Sequence, residues 1–572
     1  MKPIQHIRLF YLLSCSLFII SFLFSKSNCY AEFVSLQWVK QMGGTMNDQA
    51  KSMAMDAQGN IYLTGTFWGT ADFDPGTGVY NLTSAGESDI FIVKLDSSGN
   101  LTWAKQIGGA TNDAGNAITI DIHGNVYITG SFEGTVDFDP GTGVYNLAAL
   151  TSDNAFVEKL DANGNFVWAG KFASTSNGFG NGISVDNNGN VYTTGNFQGS
   201  TDFDPGAGIV SFNSFGGYDI FVSKLDSNGN YVWAKQMGGA SDEAGNSIKT
   251  DGAGNVYSTG YFQATADFDP SSAVNNLTSE GSTDIYISKL DANGNFVWVD
   301  GIGGLLGDMS YALVLDSNNN IYITGNFQGT VDFDPGAGTQ NFTSMGNYDI
   351  FVLKLNNSGN YKWVKQMGGT QDDGAYAIAL GLGNTIYTTG YFQGTADFDP
   401  GSGTKYILSN GGSDIFVSKL DSNGNYVWAG DMGGTSNEAG FSILLDYNNN
   451  IVTSGFFAGT CDFDPSSTVT NLTPFGGYDV YVSKFWHNPT AVQELYSTSK
   501  SIYPNPVNGI LNMEEEKNSS YILTDIYGRI ITNGIVMYDK QQIDMSTLLN
   551  GVYILQLTDT YGNKENVKLV KE

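Results

Sequence analysis

Short apolar and β-branched runs alternate with turn residues along most of the chain. In the first stretch these runs cover residues 52–55, 61–66, 89–95 and 101–107. Runs of this length with alternating polar positions are typical of β-strands. The first two runs, and likewise the last two, are joined by Asp-x-x-Gly-Asn, in which Asp accepts backbone bonds and Gly takes positive φ. The pattern therefore predicts two hairpins, giving four antiparallel strands.

The same pattern recurs with a constant period. Asp-Phe-Asp-Pro starts every 65 residues, and a Trp repeats with the same step, without insertions or deletions. Identical spacing means identical neighbour contacts, which suits a closed ring, so we predict an all-β, seven-bladed β-propeller. The seven copies of the tetrapeptide start at Asp72, Asp137, Asp202, Asp267, Asp332, Asp397 and Asp462.

The two ends of the repeat region complement each other. A Trp-bearing segment at 36–42 precedes the first full unit, whereas the last unit ends at 479–485 without a Trp strand after it. We therefore expect the N-terminal strand to complete the last blade, with the propeller spanning residues 32–486. The sequence Ile-Thr-Ile-Asp-x-x-Gly-Asn-Val-Tyr-Ile-Thr-Gly at 118–130, with Asp-Ile-Phe-Val-Ser-Lys-Leu-Asp at 219–226, resembles the SBBP-type β-propeller repeat family. That resemblance implies a fold and no particular activity.

A different pattern follows the repeats. After a polar segment at 487–500, which we interpret as a linker, six short motifs occur in order within residues 501–572. They resemble the type A sorting domain of the type IX secretion system, which implies a small β-sandwich recognised at the outer membrane of Bacteroidetes-type bacteria. An unrelated adhesion module is the alternative. The motifs are Ser-Ile-Tyr-Pro-Asn-Pro at 501–506, Gly-Ile-Leu at 509–511, Asp-Ile-Tyr-Gly-Arg at 525–529, Ile-Asp-Met-Ser at 543–546, Gly-Val-Tyr at 551–553 and Lys-Leu-Val-Lys at 568–571.

The first residues indicate export. Lys2 and Arg8 precede an apolar run at 9–24, and Cys29-Tyr-Ala31 gives the small-x-small pattern of a signal peptidase site. We predict a cleaved signal peptide at 1–31, with an uncleaved anchor or a lipid on Cys29 as alternatives. The predicted protein is secreted or attached to the outer surface of the outer membrane, is a monomer, and has no transmembrane segment after cleavage.

Composition excludes several function classes. Fifty-seven acidic residues against 26 basic ones give a formal net charge of −31, which repels nucleic acids and anionic membranes and favours cations or basic surfaces. After signal cleavage, Cys461 would be the one remaining cysteine, and His123 and His487 would be the remaining histidines. So few cysteines and histidines exclude a disulfide framework and a zinc site made of several His or Cys. Cys461 is expected to be a small buried side chain.

Two longer connections in each unit are expected on one face of the ring, and we consider this face the functional candidate. One connection carries an acid in six of seven units, at Asp48, Asp113, Glu243, Asp308, Asp373 and Glu438, with Gly178 in the third. These six could ring the channel mouth and bind a ligand, or simply lie in solvated turns with local backbone bonds. Trp68 replaces a Glu, Gln or Ala and offers a stacking surface, unless it packs on a neighbouring loop.

The other connection carries Asp-Phe-Asp-Pro-Gly or a close variant. Its aspartates could share a cation, and we take Asp72, Asp74, Asp137 and Asp139 as candidate metal ligands, with calcium as the candidate ion. The alternative is structural, with the Phe packed in the core and the Pro-Gly forming a turn. Further ligands for a standalone calcium loop are missing from the sequence.

These features favour a non-enzymatic binding or adhesion protein, exported by the type IX machinery, that holds a glycan, peptide or protein on the loop face. One alternative is an extracellular lyase or glycoside hydrolase acting on polysaccharide, which would need two acids in unequal environments. A purely structural surface protein is the other alternative.

Overall fold

The computed structural model describes residues 33–149, 152–488, 502–503, 506–514, 520–525, 530–536, 540–558 and 564–571. The chain divides into two compact units, 1–489 and 490–572. The predicted signal peptide at 1–31 lies outside the described residues, as does most of the predicted linker. Strand Tyr478–Asn488 extends two residues into that predicted linker.

The larger unit is all-β and consists of β-propeller-like repeats. Each repeat has four strands in sequential antiparallel order, which we call the first to fourth strand. The first strands are Gln49–Met55, Asp113–Ile120, Gly178–Val185, Ala244–Thr250, Met309–Leu315, Gly374–Leu380 and Ala439–Leu445. The second strands are Ile61–Asp72, Val126–Phe132 with Thr135–Asp137, Val191–Phe197 with Ser200–Asp202, Val256–Asp267, Ile321–Asp332, Ile386–Asp397, and Ile451–Ala458 with Cys461–Asp462.

The other two strands complete each repeat. The third strands are Asn81–Leu95, Asn146–Ala148 with Asn154–Leu160, Ser211–Asn213 with Asp219–Leu225, Asn276–Leu290, Asn341–Leu355, Tyr406–Leu420, and Asn471–Leu472 with Tyr478–Asn488. The fourth strands are Leu101–Ile107, Phe166–Lys171 with Ala173–Ser174, Tyr231–Gly239, Phe296–Gly304, Tyr361–Gly369 and Tyr426–Gly434. A 3₁₀ turn at Leu382–Asn384 replaces one Asp-x-x-Gly-Asn turn.

The Asp-x-x-Gly-Asn turns have the structural role that the sequence indicates. Asp56 Oδ1 accepts the backbone N–H groups of Gln58 at 3.0 Å and Asn60 at 2.9 Å, and its Oδ2 accepts Asn60 Nδ2 at 2.7 Å. Gly59 has a φ of 81°, which a residue with a side chain rarely adopts. The side chain of Asp56 thus closes the hairpin that joins the first and second strands.

The second and third strands are longer than predicted. The segment at 67–88 was expected to be a loop, but the ladder continues beyond a bulge, where Thr70 pairs with Thr83 and Asp72 with Asn81. Gly69 at the bulge has a φ of 63°, and Ser84 to Glu87 are looped out opposite it. The sequence pattern concealed this arm because the bulge shifts the alternation of apolar and polar positions.

The N-terminal strand Phe33–Gly44 forms the fourth strand of the last repeat. It pairs antiparallel with Tyr478–Asn488, from Phe33 opposite Asn488 to Met42 opposite Val480. Its end also pairs with the first repeat, Gly43 opposite Asp72 and Gly44 opposite Ala71. The N-terminal strand therefore links the first and last repeats, as its unpaired Trp segment indicates.

Apolar cores lie between neighbouring repeats. One cluster joins Leu63 and Phe91 of the first repeat to Val452 and Val480 of the last, all fully buried. The first strand of each repeat contacts the first strand of the next, and Gln49–Met55 also contacts Ala439–Leu445. The Phe of Asp-Phe-Asp-Pro belongs to these cores, since the Phe73 ring lies 5.3 Å from Phe67 and 5.0 Å from Phe91 between centroids. Cys461 is buried in the same way, as predicted.

The smaller unit has two antiparallel sheets around its own core. One sheet contains Ile502–Tyr503, Ile510–Glu514 and Lys540–Asp544, and the other contains Ile530–Ile535, Ser520–Asp525, Gly551–Thr558 and Lys564–Lys571. Leu511, Leu523, Leu555 and Leu569 are fully buried in this unit. Within the described ranges, no helix has the length and apolar character needed to span a bilayer.

Candidate functional site

The six acids that could have ringed a channel mouth are buried side chains at the junctions between repeats. We call them junction acids. Each is at most 1% exposed, and each carboxylate accepts a backbone N–H from the end of the preceding fourth strand. Gly44 N donates to Asp48 Oδ2 at 2.7 Å, and Trp68 N donates to its Oδ1 at 3.1 Å. The equivalent strand-end bonds hold Asp113, Glu243, Asp308, Asp373 and Glu438.

The prediction of a solvent-facing acid ring is therefore wrong in its geometry. These carboxylates turn inward because they satisfy backbone donors that the change of direction between repeats leaves without partners. The local backbone bonds of the alternative are present, but the predicted solvation of these turns is wrong, because the carboxylates are buried. Whether any of the six contacts a ligand stays a prediction.

A second carboxylate from the third strand lies beside each junction acid. We call these residues partner acids. Burial, and then the negative charge of the partner Asp479, raises the pKa of Asp48 to about 7. Glu243 beside Asp219 has its pKa raised to about 8 for the same reasons in the same order. The partner acids, each at most 3% exposed, are Asp89, Asp219, Asp284, Asp349, Asp414 and Asp479.

Each of these six junctions contains a buried carboxylate oxygen without a hydrogen-bond partner among the described residues. The oxygens are Oδ1 of Asp89, Asp284, Asp349, Asp414 and Asp479, and Oε1 of Glu243 and Glu438. A buried carboxylate with an unsatisfied oxygen beside a second carboxylate favours the protonated form. The pairs are thus buried carboxylates within the fold whose ionised forms are disfavoured. They are not the exposed ligand sites considered from the sequence.

The seventh junction has lost both acids together. Asn154 replaces the partner acid and Gly178 replaces the junction acid. Asn154 Oδ1 accepts Ser174 N at 2.9 Å, so the amide supplies the acceptor that a junction acid supplies elsewhere. The absence of an acid at Gly178, visible in the sequence, is therefore part of the replacement of both acids of this junction.

The aspartates considered as metal ligands form a turn. Asp72 Oδ1 accepts Asp74 N at 3.0 Å and Tyr80 N at 2.8 Å, and Asp74 Oδ1 accepts Gly76 N at 2.8 Å. Asp137 and Asp139 make the same bonds in the second repeat. In the parts of the chain that the structure describes, no three His, Cys, Asp or Glu side chains are grouped to hold a metal ion. These contacts support the structural role, and calcium binding stays a prediction.

Trp68 is half-buried, and its neighbour Gly69 lies close to the Met46 side chain. Gly476, the neighbour of Phe475, lies close to the backbone of Thr45. Met46 is 50% exposed and Phe475 is 63% exposed, so the seam between the first and last repeats presents apolar surface. We call Met46, Trp68 and Phe475 the seam patch.

A cavity of about 210 Å³ lies among the first strands of all seven repeats. Each repeat contributes the side chain of one equivalent position to the cavity lining. Four neighbouring repeats contribute Lys or Asn, which we call the asparagine arc, and the other three contribute aromatic rings, which we call the aromatic wall. The residues at this position are Lys51, Asn116, Asn181, Asn246, Tyr311, Tyr376 and Phe441. This position was not predicted from the sequence, although every 65th residue from Lys51 shows the change from amide to aromatic.

A second unrecognised departure from the repeat is Glu158. Other repeats have Val93, Ser223, Ser288, Leu353, Ser418 and Ser483 at this position. Glu158 is fully buried between Phe156 and Leu160 on its strand, and neither carboxylate oxygen has a partner among the described residues. Burial, then the charge of Asp139, raises its pKa well above the usual range. His123, by contrast, is an exposed turn residue.

Comparisons with known families agree with the two-part organisation. The beta-propeller repeat family SBBP matches residues 37–74, 102–131 and 172–203. The family described as secretion system C-terminal sorting domain matches residues 501–572. A C-terminal domain of this kind indicates secretion or attachment to the outer surface through the type IX machinery.

Two curated relatives share low identity. An uncharacterised WD repeat-containing protein of Acanthamoeba polyphaga mimivirus is 23% identical over 538 residues, covering 79% of this chain and 38% of the relative. The regulatory protein FlaEY of Caulobacter vibrioides is 23% identical over 214 residues, covering 37% and 22%. The chain thus spans less than half the length of either relative.

Solved structures with similarity include Sqt1 from Chaetomium thermophilum, at 10% identity and a TM-score of 0.36, covering 78% of this chain and 98% of that one. PorZ, a surface component of the type IX secretion system of Porphyromonas gingivalis, has 11% identity and a TM-score of 0.16, covering 93% and 100%. Taken with the repeat geometry, the family matches establish that the chain combines SBBP β-propeller repeats with a type IX secretion C-terminal sorting domain.

Proposed function

We propose that the seven repeats close into a seven-bladed β-propeller, and that the exported protein binds a protein or glycan on its loop face without catalysing a reaction. Pairing of Phe33–Gly44 with Tyr478–Asn488 supports closure, as does the contact between the first strands of the first and last repeats. The smaller unit is a β-sandwich in this proposal, which its two antiparallel sheets support.

The seam patch is the observation that carries the binding role. Soluble proteins rarely leave contiguous apolar side chains exposed unless these meet a partner. The same connections in other repeats present Phe215, Leu305 and Met345, which are 64%, 77% and 55% exposed. An apolar loop face on a strongly acidic protein suits a partner that is neutral or basic and has apolar surface.

The buried carboxylate pairs support a binding role over an enzymatic one. A general acid or nucleophile must reach the bond that it cleaves. The junction acids and partner acids are at most 3% exposed, and Glu158 is fully buried. We therefore assign these acids to the fold, and treat lyase or glycosidase activity as the outcome that would contradict this assignment.

Residues of other repeats provide conservative replacements for a test of the loop face. Combining Met46→Ser, Trp68→Gln and Phe475→Asn installs residues that stand at equivalent positions in other repeats. On arrays of polysaccharides and immobilised extracellular-matrix proteins, we expect this triple variant to bind at least about tenfold more weakly than the wild type. Ile122→Asn, at an exposed site in an Asp-x-x-Gly-Asn turn, is the control. Equal binding by the triple variant and the wild type would refute the proposed face.

Export through the C-terminal domain gives a separate prediction. A chain lacking 501–572 should be retained in the periplasm of a host that has the type IX machinery, whereas residues 501–572 fused to a periplasmic reporter should carry it out of the cell. Immunoblots of periplasm, cell surface and medium measure both results. Appearance of the truncated chain outside the cell would contradict sorting by this domain.

A further inference from the structure

The central cavity has a charge opposite to that of the protein around it. The residues lining it include Lys51 and Lys249 but no Asp or Glu, although the chain has 57 acidic residues and 26 basic ones. In a strongly acidic protein, a cavity lined by two lysines and no acid concentrates positive potential. Such a cavity favours an anionic ligand.

The two ammonium groups lack carboxylate partners. Lys51 Nζ donates to Asn116 Oδ1 at 3.3 Å, and Lys249 Nζ forms no hydrogen bond or ion pair with any residue in the described ranges. Burial lowers the pKa of both lysines. Positions equivalent to Lys51 hold Asn, Tyr or Phe in other repeats, and those equivalent to Lys249 include Val314 and Ala379, so the fold itself does not require either lysine.

Three asparagines present acceptors beside these lysines. The side-chain nitrogens of Asn116, Asn181 and Asn246 each donate to a backbone carbonyl of the next first strand, at 3.1, 3.1 and 2.9 Å. These bonds fix the amide planes, since the nitrogen of each amide is held by the strand beside it. The amide oxygens of Asn181 and Asn246 are left as acceptors for hydroxyl groups, whereas that of Asn116 already accepts Lys51 Nζ.

The opposite arc is an aromatic wall. Ring centroids of Tyr311 and Tyr376 lie 5.1 Å apart, and those of Tyr376 and Phe441 lie 5.2 Å apart. All three side chains are partly exposed, so they face the cavity and are not sealed in the core. Aromatic faces suit the C–H surface of a ring-shaped polar ligand.

We propose that this cavity binds the carboxylated ring of an acidic sugar, a uronic acid, through Lys51 and Lys249, with hydroxyls on the asparagine arc and the apolar face of the sugar on the aromatic wall. A volume of about 210 Å³ suits one sugar ring, since sites for drug-sized ligands have about 300–1,000 Å³. The inference rests on the proposed closed ring and names a ligand class for a second site, separate from the seam patch.

Titration calorimetry of the full-length protein after signal cleavage, with glucuronate and galacturonate, tests this inference. The double variant Lys51→Asn with Lys249→Val should lose at least about tenfold in affinity, because an acid group would lose both cations. Tyr376→Asn, which interrupts the aromatic wall at its middle residue, should lose several-fold in affinity. Lys362→Val, which removes an exposed lysine and installs the residue of neighbouring repeats, should bind as the wild type does. Thermal melts confirm that each variant is folded.

Three results would overturn the inference: no uronate binding by the folded wild type, equal affinity in the double lysine variant, or acetate binding as tightly as the uronates. The last result would identify a simple anion site. Weaker binding of glucose and galactose than of the matching uronates is expected. Because the array measurement with the seam-patch variant uses a different surface, loss of uronate binding alone would leave the proposed loop-face function intact.

Discussion

Met42→Ala should destabilise the repeat domain as strongly as Met367→Ala. The two methionines occupy the same position of a fourth strand, and both side chains are fully buried. Replacing a buried Met with Ala costs about 2–5 kcal/mol through lost burial and the remaining cavity. The Met42→Ala substitution can destabilise the domain by this amount only if the N-terminal strand is packed into the last repeat. Chemical denaturation of both single variants and the wild type measures the comparison.

Deletion of residues 32–44 extends the same prediction. It exposes the edge of Tyr478–Asn488, removes the pairing from Phe33 to Met42, and opens the core shared by the first and last repeats. We expect a much lower melting temperature and aggregation of the shortened protein. A wild-type melt after the deletion, or a neutral Met42→Ala beside a destabilising Met367→Ala, would contradict closure by this strand.

The free energy of unfolding should fall as the pH rises from about 4 to about 8. Burial, followed by charge repulsion within each pair, raises the pKa of Asp308 and Asp373 to about 7 and that of Glu438 to about 8. In the unfolded chain these groups titrate near their ordinary values of about 3.9 and 4.3. The folded state therefore binds these protons more tightly than the unfolded chain does. The stabilisation from protonation is complete at a pH below the pKa values of the unfolded chain, and it is lost as the pH rises to the pKa values of the folded state.

The effect is expected to be large because six pairs contribute. A pKa shift of one unit corresponds to about 1.4 kcal/mol, so a shift of one unit at each of the six pairs would change the free energy of unfolding by about 8 kcal/mol. Denaturant unfolding at several pH values measures the slope. Asp349→Asn should remove the share of one pair from this slope and stabilise the protein near pH 8, because the amide keeps an acceptor and removes a charge, as Asn154 does naturally. The exposed Glu87→Gln should leave the slope unchanged. A flat pH profile would show that the pairs carry no such strain.

Most of the fold could be predicted from repetition. The constant spacing of Asp-Phe-Asp-Pro and Trp gave the number of units, and the solitary Trp38 segment gave the partner of the last repeat. The long arms of the second and third strands could not be predicted, because the bulge at Gly69 breaks the two-residue alternation on which strand prediction depends. The Phe73 core position was predicted because an aromatic residue between two aspartates recurs in every repeat.

The candidate site was less predictable, because a repeated sequence position does not reveal which way its side chain points. Asp48 and its equivalents were placed correctly at or next to the start of the first strands, but their burial depends on donors such as Gly44 N that belong to a preceding strand. The partner acids were missed because each lies beside a junction acid of the neighbouring repeat, and Glu158 was missed because one changed residue leaves the strand pattern intact. The cavity position at Lys51 lies inside a strand, where one changed residue in each repeat does not alter the strand pattern.

The pairing of Phe33–Gly44 with Tyr478–Asn488 also limits when folding can finish. Gln41 and Asp479, which are joined by a hydrogen bond, are 438 residues apart in sequence. Contacts of such separation form slowly because a very long loop must close first. During synthesis, the first strand to emerge must wait for nearly the last one of the repeat region. A chain interrupted in any repeat therefore keeps two unpaired strand edges, which distinguish it structurally from the full-length protein.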